Sequence, residues 1–283
     1  MDTSSTLLEA QRRRPEITRR VLQWAKANGR QYEWRRAGRS AYEILIAEVL
    51  LKRTTSTAAA RVYGSFLRSY PSIAHLADAD EAELAMKLAP VGLQRQRARD
   101  IKRMARCIAD EEGGELPSSL KRLLCIPGLG EYSARAILSL GHGYPVAVVD
   151  ANVQRVIQRI FGGTVPAAGK TQAVADAMLP RRAHERFNFA LLDLGALVCR
   201  YQNPRCSECP LRACCDYAAG KSPTNHVDVE GCAIRKSRLE KRVSLVELSR
   251  RSRVSKLTII NLEAGRTRPR HETIEKLRAA LGV

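Results

Sequence analysis

The chain has 283 residues, enough for one large or two modest domains with a buried core. Its 48 Lys and Arg residues against 29 Asp and Glu give a formal net charge of +19, which predicts a polyanionic partner. No apolar run approaches the roughly 18 residues of a membrane span, and the N-terminus lacks a signal peptide's apolar core. We therefore expect a soluble, cytoplasmic and nucleoid-associated protein that binds nucleic acid.

Most of the chain predicts helices, and we expect an all-α fold. Five stretches carry apolar residues at helical spacing: "AYEILIAEVLL", "LKRLLCI", "YSARAILSL", "NVQRVIQRIF" and "HERFNFALLDLGALVC". The exception is Val146, Val148 and Val149, which could form a short strand. That run ends at Asp150, a good helix N-cap residue. Within the first stretch Glu48 is a lone acid on an apolar face, where burial would raise its pKa; a buried structural acid is the alternative.

The segment "LCIPGLGEYSARAIL" places Gly128 and Gly130 between two apolar stretches. A helix ending near Cys125, a glycine-containing turn and a new helix from Glu131 predict a helix-hairpin-helix motif. Its second helix would offer free N–H groups to a phosphate, and the glycines would let the backbone approach closely. An ordinary helix–helix turn remains the alternative for this segment alone. Asp150, further along in "VVDANVQRV", would then face the sugar of a nucleotide held there.

Five of the eight cysteines fall within "CRYQNPRCSECPLRACC". In a cytoplasmic chain such clustering favours metal ligation over disulfides. Cys199, Cys206, Cys209 and Cys215 have the spacing C-x6-C-x2-C-x5-C, which leaves Cys214 over. The spacing fits zinc or a [4Fe–4S] cluster.

Three motifs in this order, "IPGLGEYSA", "VVDANVQRV" and the four-cysteine loop, resemble the helix-hairpin-helix DNA glycosylases of the endonuclease III type over about residues 18–217. The resemblance implies two all-α lobes with the substrate base flipped into the cleft between them. It also implies a [4Fe–4S] cluster on the four cysteines, a catalytic carboxylate at Asp150 and a phosphate-binding hairpin that includes Gly128, Gly130 and Ser133. The domain implied is 1–218, with a six-helix barrel at about 41–151 and an iron–sulfur lobe at about 1–40 plus 152–218.

Tyr132 stands where the family's bifunctional members carry Lys, whose amine forms a Schiff base with the sugar. A phenol cannot form an imine, so we predict a monofunctional glycosylase without AP lyase activity. Tyr at this place resembles the thymine/uracil mismatch glycosylases, whose partner is double-stranded DNA with a G·T or G·U pair. The adenine-excising branch is the alternative: it shares the acid at Glu48 but typically carries Ser at this place and a longer C-terminal domain.

Two further alternatives remain open, a glycosylase for modified cytosine and a DNA-binding regulator without catalysis. Other DNA contacts are predicted from loop positions. Relatives insert a side chain into the gap left by the flipped base from the segment that follows the Glu48 helix, which here consists of Lys52, Arg53, Thr54 and Thr55. Gln94 and Arg95 could read the orphaned guanine, because Gln and Arg suit base edges.

The C-terminal part predicts a second DNA-binding unit. Residues 219–231 lose the apolar periodicity and are interpreted as a linker. Residues 232–283 resemble a Cro/repressor-type helix-turn-helix domain, a type that often dimerises. Residues 231–283 hold 14 Lys and Arg against 5 Asp and Glu, almost half of the excess charge. A purely protein-binding bundle is the alternative.

Local signals place the elements of this domain. Ser244 and Glu247 predict a capping box, and Ser255 predicts the N-cap of the recognition helix. Arg253 stands where the family commonly has Gly, and a positive φ there would cost roughly 1 kcal/mol. The side chains expected to face a major groove are those of Lys256, Thr258 and Asn261.

Overall fold

The computed structural model describes residues 3–162, 168–220, 226–263 and 271–283. Within these residues the regular secondary structure is helical throughout, which confirms the all-α prediction. None of the helices described is long and apolar enough to cross a membrane. The α-helices are Thr3–Asn28 (α1), Ala41–Leu51 (α2), Ser56–Ser69 (α3), Ile73–Asp78 (α4), Glu81–Leu88 (α5), Gln94–Glu112 (α6), Leu120–Cys125 (α7), Glu131–Ala136 (α8), Ala151–Ile160 (α9), Ala168–Met178 (α10), His184–Leu197 (α11), His226–Glu240 (α12), Leu245–Ser252 (α13), Lys256–Glu263 (α14) and His271–Leu281 (α15).

The first hydrophobic core is built by the helices α2 to α8. Its largest fully buried side chains include Tyr63 and Phe66 of α3 and Leu45 of α2. Helix α2 begins at a complete capping box, in which Ser40 and Glu43 satisfy each other's backbone N–H groups. This cap fixes the start of the helix that carries Glu48.

The predicted helix-hairpin-helix is present as α7 and α8. Gly128 adopts a φ of +86° in the turn between them, a conformation that a side chain would strain. The last turn of the second helix widens into a π-helix at Ile137–Gly141. Such widened turns are rare and occur frequently at functional sites.

Val146, Val148 and Val149, which could have formed a short strand, have no regular secondary structure and pair with no strand among the residues described. Side-chain oxygens accept the backbone hydrogen bonds that a partner strand would otherwise accept. The Ala147 N–H donates to Asp176 Oδ1 at 2.9 Å, and the Val148 N–H donates to Asn188 Oδ1 at 3.1 Å. The segment therefore enters α9 in a fixed position, with Asp150 as the N-cap.

The second core is formed by α1 together with the helices α9, α10 and α11, which lie far from α1 in the sequence. Helix α1 contributes Ile17 and Val21, which pack against apolar residues of α9, α10 and α11. Among these, Ile157 and Phe187 are fully buried.

The third core lies within the C-terminal helices α12 to α15. Helix α12 begins at His226, so it includes part of the 219–231 segment that was interpreted as a linker. Ser244 caps α13 as predicted, but the capping box is only half formed: the Glu247 carboxylate pairs instead with Arg250 and Arg251. Arg253 has a φ of +56°. This is the left-handed conformation that the glycine common in the family would adopt without strain, and here an arginine adopts it.

A buried ion pair joins α12 to α14. The Arg238 guanidinium donates to both oxygens of Glu263, at 2.6 and 2.7 Å, and its third nitrogen donates to the Val243 carbonyl oxygen at 3.1 Å. The bidentate geometry fixes the end of α14 against the bundle.

Candidate active site

A cavity of about 240 Å³ lies between the first two cores. Drug-sized ligands occupy pockets of about 300–1,000 Å³, so this cavity suits a smaller guest such as a single nucleobase. Three of the predicted site residues line it together: Glu48 from α2, Tyr132 from α8 and Asp150 at the start of α9. The helices α2 and α8 belong to the first core and α9 to the second, so the fold itself brings the three groups together.

Glu48 is half-buried and lines the cavity, and the burial of its carboxyl group raises its pKa to about 8. The nearby charge of Asp150 adds to the rise, and a hydrogen bond from the Ser133 hydroxyl to Glu48 Oε2, at 3.3 Å, opposes it. At neutral pH Glu48 is therefore a protonated acid that can donate a proton into the cavity.

Both carboxylate oxygens of Asp150 accept hydrogen bonds. The Val153 N–H donates to Oδ1 at 2.7 Å, and Asn152 Nδ2 donates to Oδ2 at 2.8 Å. Asp150 is thus a helix cap whose carboxylate also faces the cavity, so a structural and a chemical use are compatible.

A chain of hydrogen bonds extends from Asp150 to the cysteine loop. Arg155 donates to Asn152 Oδ1 at 2.9 Å, and it also donates to the carbonyl oxygens of Gly195 and Cys199, both at 2.8 Å. Gly195 is needed there, because a Cβ atom at that position would lie 2.7 Å from the Cβ atom of Asn152. The orientation of Asp150 therefore depends on the close approach of α11 to α9.

The Tyr132 phenol has a pKa well above its usual value, first because of burial and then because of the neighbouring charges of Glu48 and Asp150. Its hydroxyl is neutral at physiological pH. A neutral phenol is neither a base nor an amine nucleophile, so the chemistry available at this position is packing and hydrogen bonding.

The opposite wall of the cavity carries two cations that the sequence analysis missed. Asp193 of α11 is buried and binds both: Arg30 Nε donates to Oδ1 at 2.6 Å, and Arg35 donates to the two oxygens at 2.7 and 3.0 Å. The signal available in the sequence was the lone acid in "FALLDLGALV", the same kind of signal that identified Glu48. Its partners are distant in the chain, so they could not be inferred from spacing.

Aromatic rings hold this cationic wall in place. Tyr32 stacks on Trp34 with 4.6 Å between ring centroids, and its hydroxyl lies 2.6 Å from the Ser56 hydroxyl. The Arg35 guanidinium lies 5.4 Å from the Tyr32 ring centroid and 4.7 Å from that of Phe189. Cation–π contacts of this kind fix an arginine without neutralising its charge.

The hairpin residues predicted to bind phosphate have open surroundings. A Cβ atom at Gly128 or at Gly130 would meet no atom within 4 Å. Gly130 caps α8 in an extended conformation, and Ser133 lies in the first turn of this helix. The backbone there is accessible to a ligand, although no contact among the residues described identifies that ligand as a phosphate.

The structure brings together the two loops that were predicted to contact DNA. Lys52 and Arg53 are exposed at the end of α2, and Gln94 and Arg95 are exposed at the start of α6. Arg97 is buried and links the loops: it donates to the carbonyl oxygens of Lys52, of Val49 at 2.8 Å and of Gly92 at 2.9 Å.

Leu93 is a feature of these loops that the sequence analysis missed. It is 55% exposed and has a φ of +52°, so an apolar side chain is held outward in a left-handed conformation. Such a conformation is uncommon for a bulky residue and is found mostly where function requires it.

The four predicted cysteine ligands line one small cavity, while Cys214 is not part of its lining. Burial raises the pKa of Cys209 to about 11, and the other three thiols contribute to this rise. Arg159 donates to Cys199 Sγ at 3.4 Å. In the residues described, no group of three or more His, Cys, Asp or Glu side chains is arranged to hold a single metal ion.

The recognition helix α14 begins as predicted. Ser255 Oγ accepts the Thr258 N–H at 3.1 Å and bonds the Thr258 hydroxyl at 2.7 Å. Lys256 is exposed, and Thr258 and Asn261 are half-buried. The Thr258 hydroxyl therefore already forms a hydrogen bond within the cap of α14.

Comparison with known proteins agrees with this arrangement. Residues 46–180 match the family described as "HhH-GPD superfamily base excision DNA repair protein", and residues 234–283 match the helix-turn-helix family. A thymine/uracil-DNA glycosylase of Methanothermobacter thermautotrophicus is 32% identical over 70% of this chain and 90% of its own length. An adenine DNA glycosylase of Mycolicibacterium smegmatis is 34% identical over 71% of this chain and 69% of its own length.

Among solved structures, a thermostable thymine-DNA glycosylase matches with a TM-score of 0.70 and 31% identity. The match covers 74% of this chain and 98% of that protein. About a quarter of this chain therefore lies outside the match.

Proposed function

The chain is a DNA glycosylase that belongs to the HhH-GPD superfamily of base excision DNA repair proteins and carries a helix-turn-helix DNA-binding domain, and we propose that it hydrolyses the N-glycosidic bond of thymine or uracil mispaired with guanine. The observation that carries this proposal is the cavity in which Glu48, Tyr132 and Asp150 meet. Mispaired bases are the least costly to unstack, which suits an enzyme that must flip its target into such a cavity.

The two carboxyl groups have complementary roles in this reaction. The C1′–N1 bond breaks with its electron pair going to the base, and the protonated Glu48 supplies a proton to the departing pyrimidine. Positive charge develops on the sugar, where the oriented Asp150 carboxylate stabilises it and positions the attacking water. Water then forms the new bond to C1′ and gives one proton to the Asp150 carboxylate, which leaves an abasic site.

Two features of the wall favour a pyrimidine. The cavity is small, and Arg30 and Arg35 share a single carboxylate, Asp193, so an excess of one positive charge lies at its lining, where a departing pyrimidine carries developing negative charge. The neutral Tyr132 phenol lacks the amine that forms a Schiff base, which supports hydrolysis without AP lyase activity.

Adenine excision is the second candidate. It is favoured by the similarity to the mycobacterial adenine glycosylase and by the protonated Glu48, which could equally protonate a purine. Tyr132 argues against adenine excision, because the adenine-excising branch typically carries Ser at this position. Excision of modified cytosine and binding without catalysis are the remaining alternatives.

DNA contacts follow from the exposed loops. We propose that Leu93 fills the gap left by the flipped base, since it is an exposed apolar side chain held outward beside Gln94 and Arg95. Lys52, Arg53 and the Gly128–Gly130 hairpin would contact the phosphates on either side. Nucleoid association would follow from this binding.

The assay that tests this function measures base excision from labelled duplexes with G·T, G·U, A·8-oxoguanine and G·5-methylcytosine pairs. We expect excision at T and U, revealed as strand breaks only after alkali, and its loss in Asp150→Asn. Excision at adenine would assign the chain to the second candidate. No excision from any duplex would support the binding regulator.

We further propose that Cys199, Cys206, Cys209 and Cys215 hold a [4Fe–4S] cluster. A cluster binds each thiolate through a different iron atom, so its ligands stand farther apart than those of a single ion. The observation that supports this proposal is that all four thiols line one small cavity. The cluster would join the loop after α11 to the second core.

Iron content and visible absorbance of purified variants test the cluster. We expect Cys206→Ala to lose iron and Cys214→Ala, the matched control, to keep it. Equal iron in both variants, or zinc in the wild-type protein, would contradict the proposal.

A further inference from the structure

Leu257 is an exposed apolar side chain at the start of the recognition helix. It is 67% exposed, whereas Ile259 and Leu262 of the same helix are fully buried in the third core. Among the residues described it is not part of the third core, so its apolar surface is available to a partner. Its position is the second residue of α14, close to the capped N-terminus.

The position of Leu257 matches the part of a helix-turn-helix that reads bases. Residues at the N-terminal end of the recognition helix contact base edges in the major groove. Asn261 lies one helical turn after Leu257 and therefore on the same face. An apolar group and an amide are thus presented side by side.

The positive charge around this face favours DNA as the molecule that binds there. Arg253 and Lys256 flank Leu257, and neither pairs with a carboxylate among the residues described. A free cationic rim is complementary to phosphates and would oppose a second copy of the same face. The family match of residues 234–283 agrees with a DNA partner.

We propose that Leu257 reads the 5-methyl group of a pyrimidine, thymine or 5-methylcytosine, in the major groove of duplex DNA. The 5-methyl group is the apolar feature that a base pair presents in this groove, and apolar side chains are its usual partners. Asn261, on the same face, suits the edge of an adjacent adenine. The recognition domain would thereby distinguish methylated from unmethylated sites, independently of which base the cavity excises.

Binding of the full chain to undamaged duplexes tests this inference, in an Asp150→Asn background that leaves the DNA intact. A site is first selected from random duplexes. In that site each thymine is replaced by uracil, and each cytosine by 5-methylcytosine, one at a time. We expect one position at which the methyl group strengthens binding about fourfold, the contribution of one buried methyl group.

The variant Leu257→Ala should lose this methyl preference, while Leu239→Ala, which removes another exposed leucine of the same domain, should keep it. Because the cavity is unchanged in both variants, any binding of uracil there cancels from the comparison. Failure to select a site, absence of methyl dependence, or its persistence in Leu257→Ala would each overturn the proposal. So would a dimer in sedimentation that Leu257→Ala converts to a monomer, since Leu257 would then pack on a second copy.

Discussion

Glu48 and Asp150 face the same cavity, but their partners differ. Glu48 accepts one hydrogen bond, from Ser133, whereas Asp150 accepts one bond from a backbone N–H and one from an amide. Two carboxyl groups in unlike environments are how one site supplies an acid and a charge stabiliser at the same pH. The division of roles in the proposed reaction depends on this asymmetry.

The raised pKa of Glu48 predicts the pH dependence of excision. Because the protonated form is the proton donor, the single-turnover rate should be highest near neutral pH and fall as the pH rises through about 8. Glu48→Gln should be about 100-fold slower and lack this decline. A wild-type rate that instead increases through pH 8 would mean that Glu48 acts as a base.

The site residues that sequence could predict are those in local motifs. Tyr132 and Asp150 stand beside a glycine turn and a helix cap, and Glu48 interrupts an apolar helix. Asp193 interrupts one too, but its partners Arg35 and Arg30 lie 158 and 163 residues away, so only the folded chain reveals the cationic wall. Spacing carries no information about such contacts.

At the level of elements, side-chain contacts override local preference in two places. The valines before α9 have strand propensity, but Asp176 and Asn188 take the backbone bonds that a partner strand would supply. In α13 the Glu247 carboxylate has two arginines within reach and forms ion pairs instead of closing the capping box. In both cases the start of the helix was predicted correctly, at Asp150 and at Ser244, but the side-chain contacts were not.

The junction of α9 and α11 yields a prediction about Asp150. Arg155→Met removes the donor that orients Asn152, and through it Asp150, so we expect the excision rate to fall by about 10- to 100-fold. Arg155→Lys keeps the charge but cannot donate to Asn152, Gly195 and Cys199 at the same time, so it should recover only part of the rate. Single-turnover kinetics measures the effect, with DNA affinity and iron content as controls.

Unchanged kinetics in Arg155→Met would show that the Val153 N–H alone orients Asp150. A loss of iron with the loss of rate would instead place the effect in the cysteine loop, through the bond to the Cys199 carbonyl oxygen.

On the scale of the whole molecule, the C-terminal DNA-binding unit carries almost half of the excess positive charge in less than a fifth of the chain. The C-terminal block of residues 231–283 has 14 basic against 5 acidic residues, while the net charge of the whole chain is +19. The C-terminal helices have a hydrophobic core of their own, and the match to the thymine-DNA glycosylase covers 74% of the chain. The tail is therefore expected to add affinity for undamaged DNA without taking part in the chemistry.

Removal of residues 221–283 tests this division. We expect affinity for undamaged duplex DNA to fall on the order of 100-fold, the gain that linkage of two modules provides. The salt dependence of binding should become shallower, because fewer counterions are released. The excision rate at saturating protein should not change, and a large drop in that rate would mean that the tail contributes to the site.

The central claim is that the cavity of Glu48, Tyr132 and Asp150 releases a mispaired pyrimidine by hydrolysis. Its most direct test counts free base and strand breaks together, in one single-turnover reaction on a G·T duplex labelled in both the thymine and the strand. We predict one free thymine for each abasic site and no strand break before alkali, with neither product formed by Asp150→Asn. Strand breaks that accumulate with the free base, or a covalent protein–DNA adduct trapped by borohydride, would contradict the account.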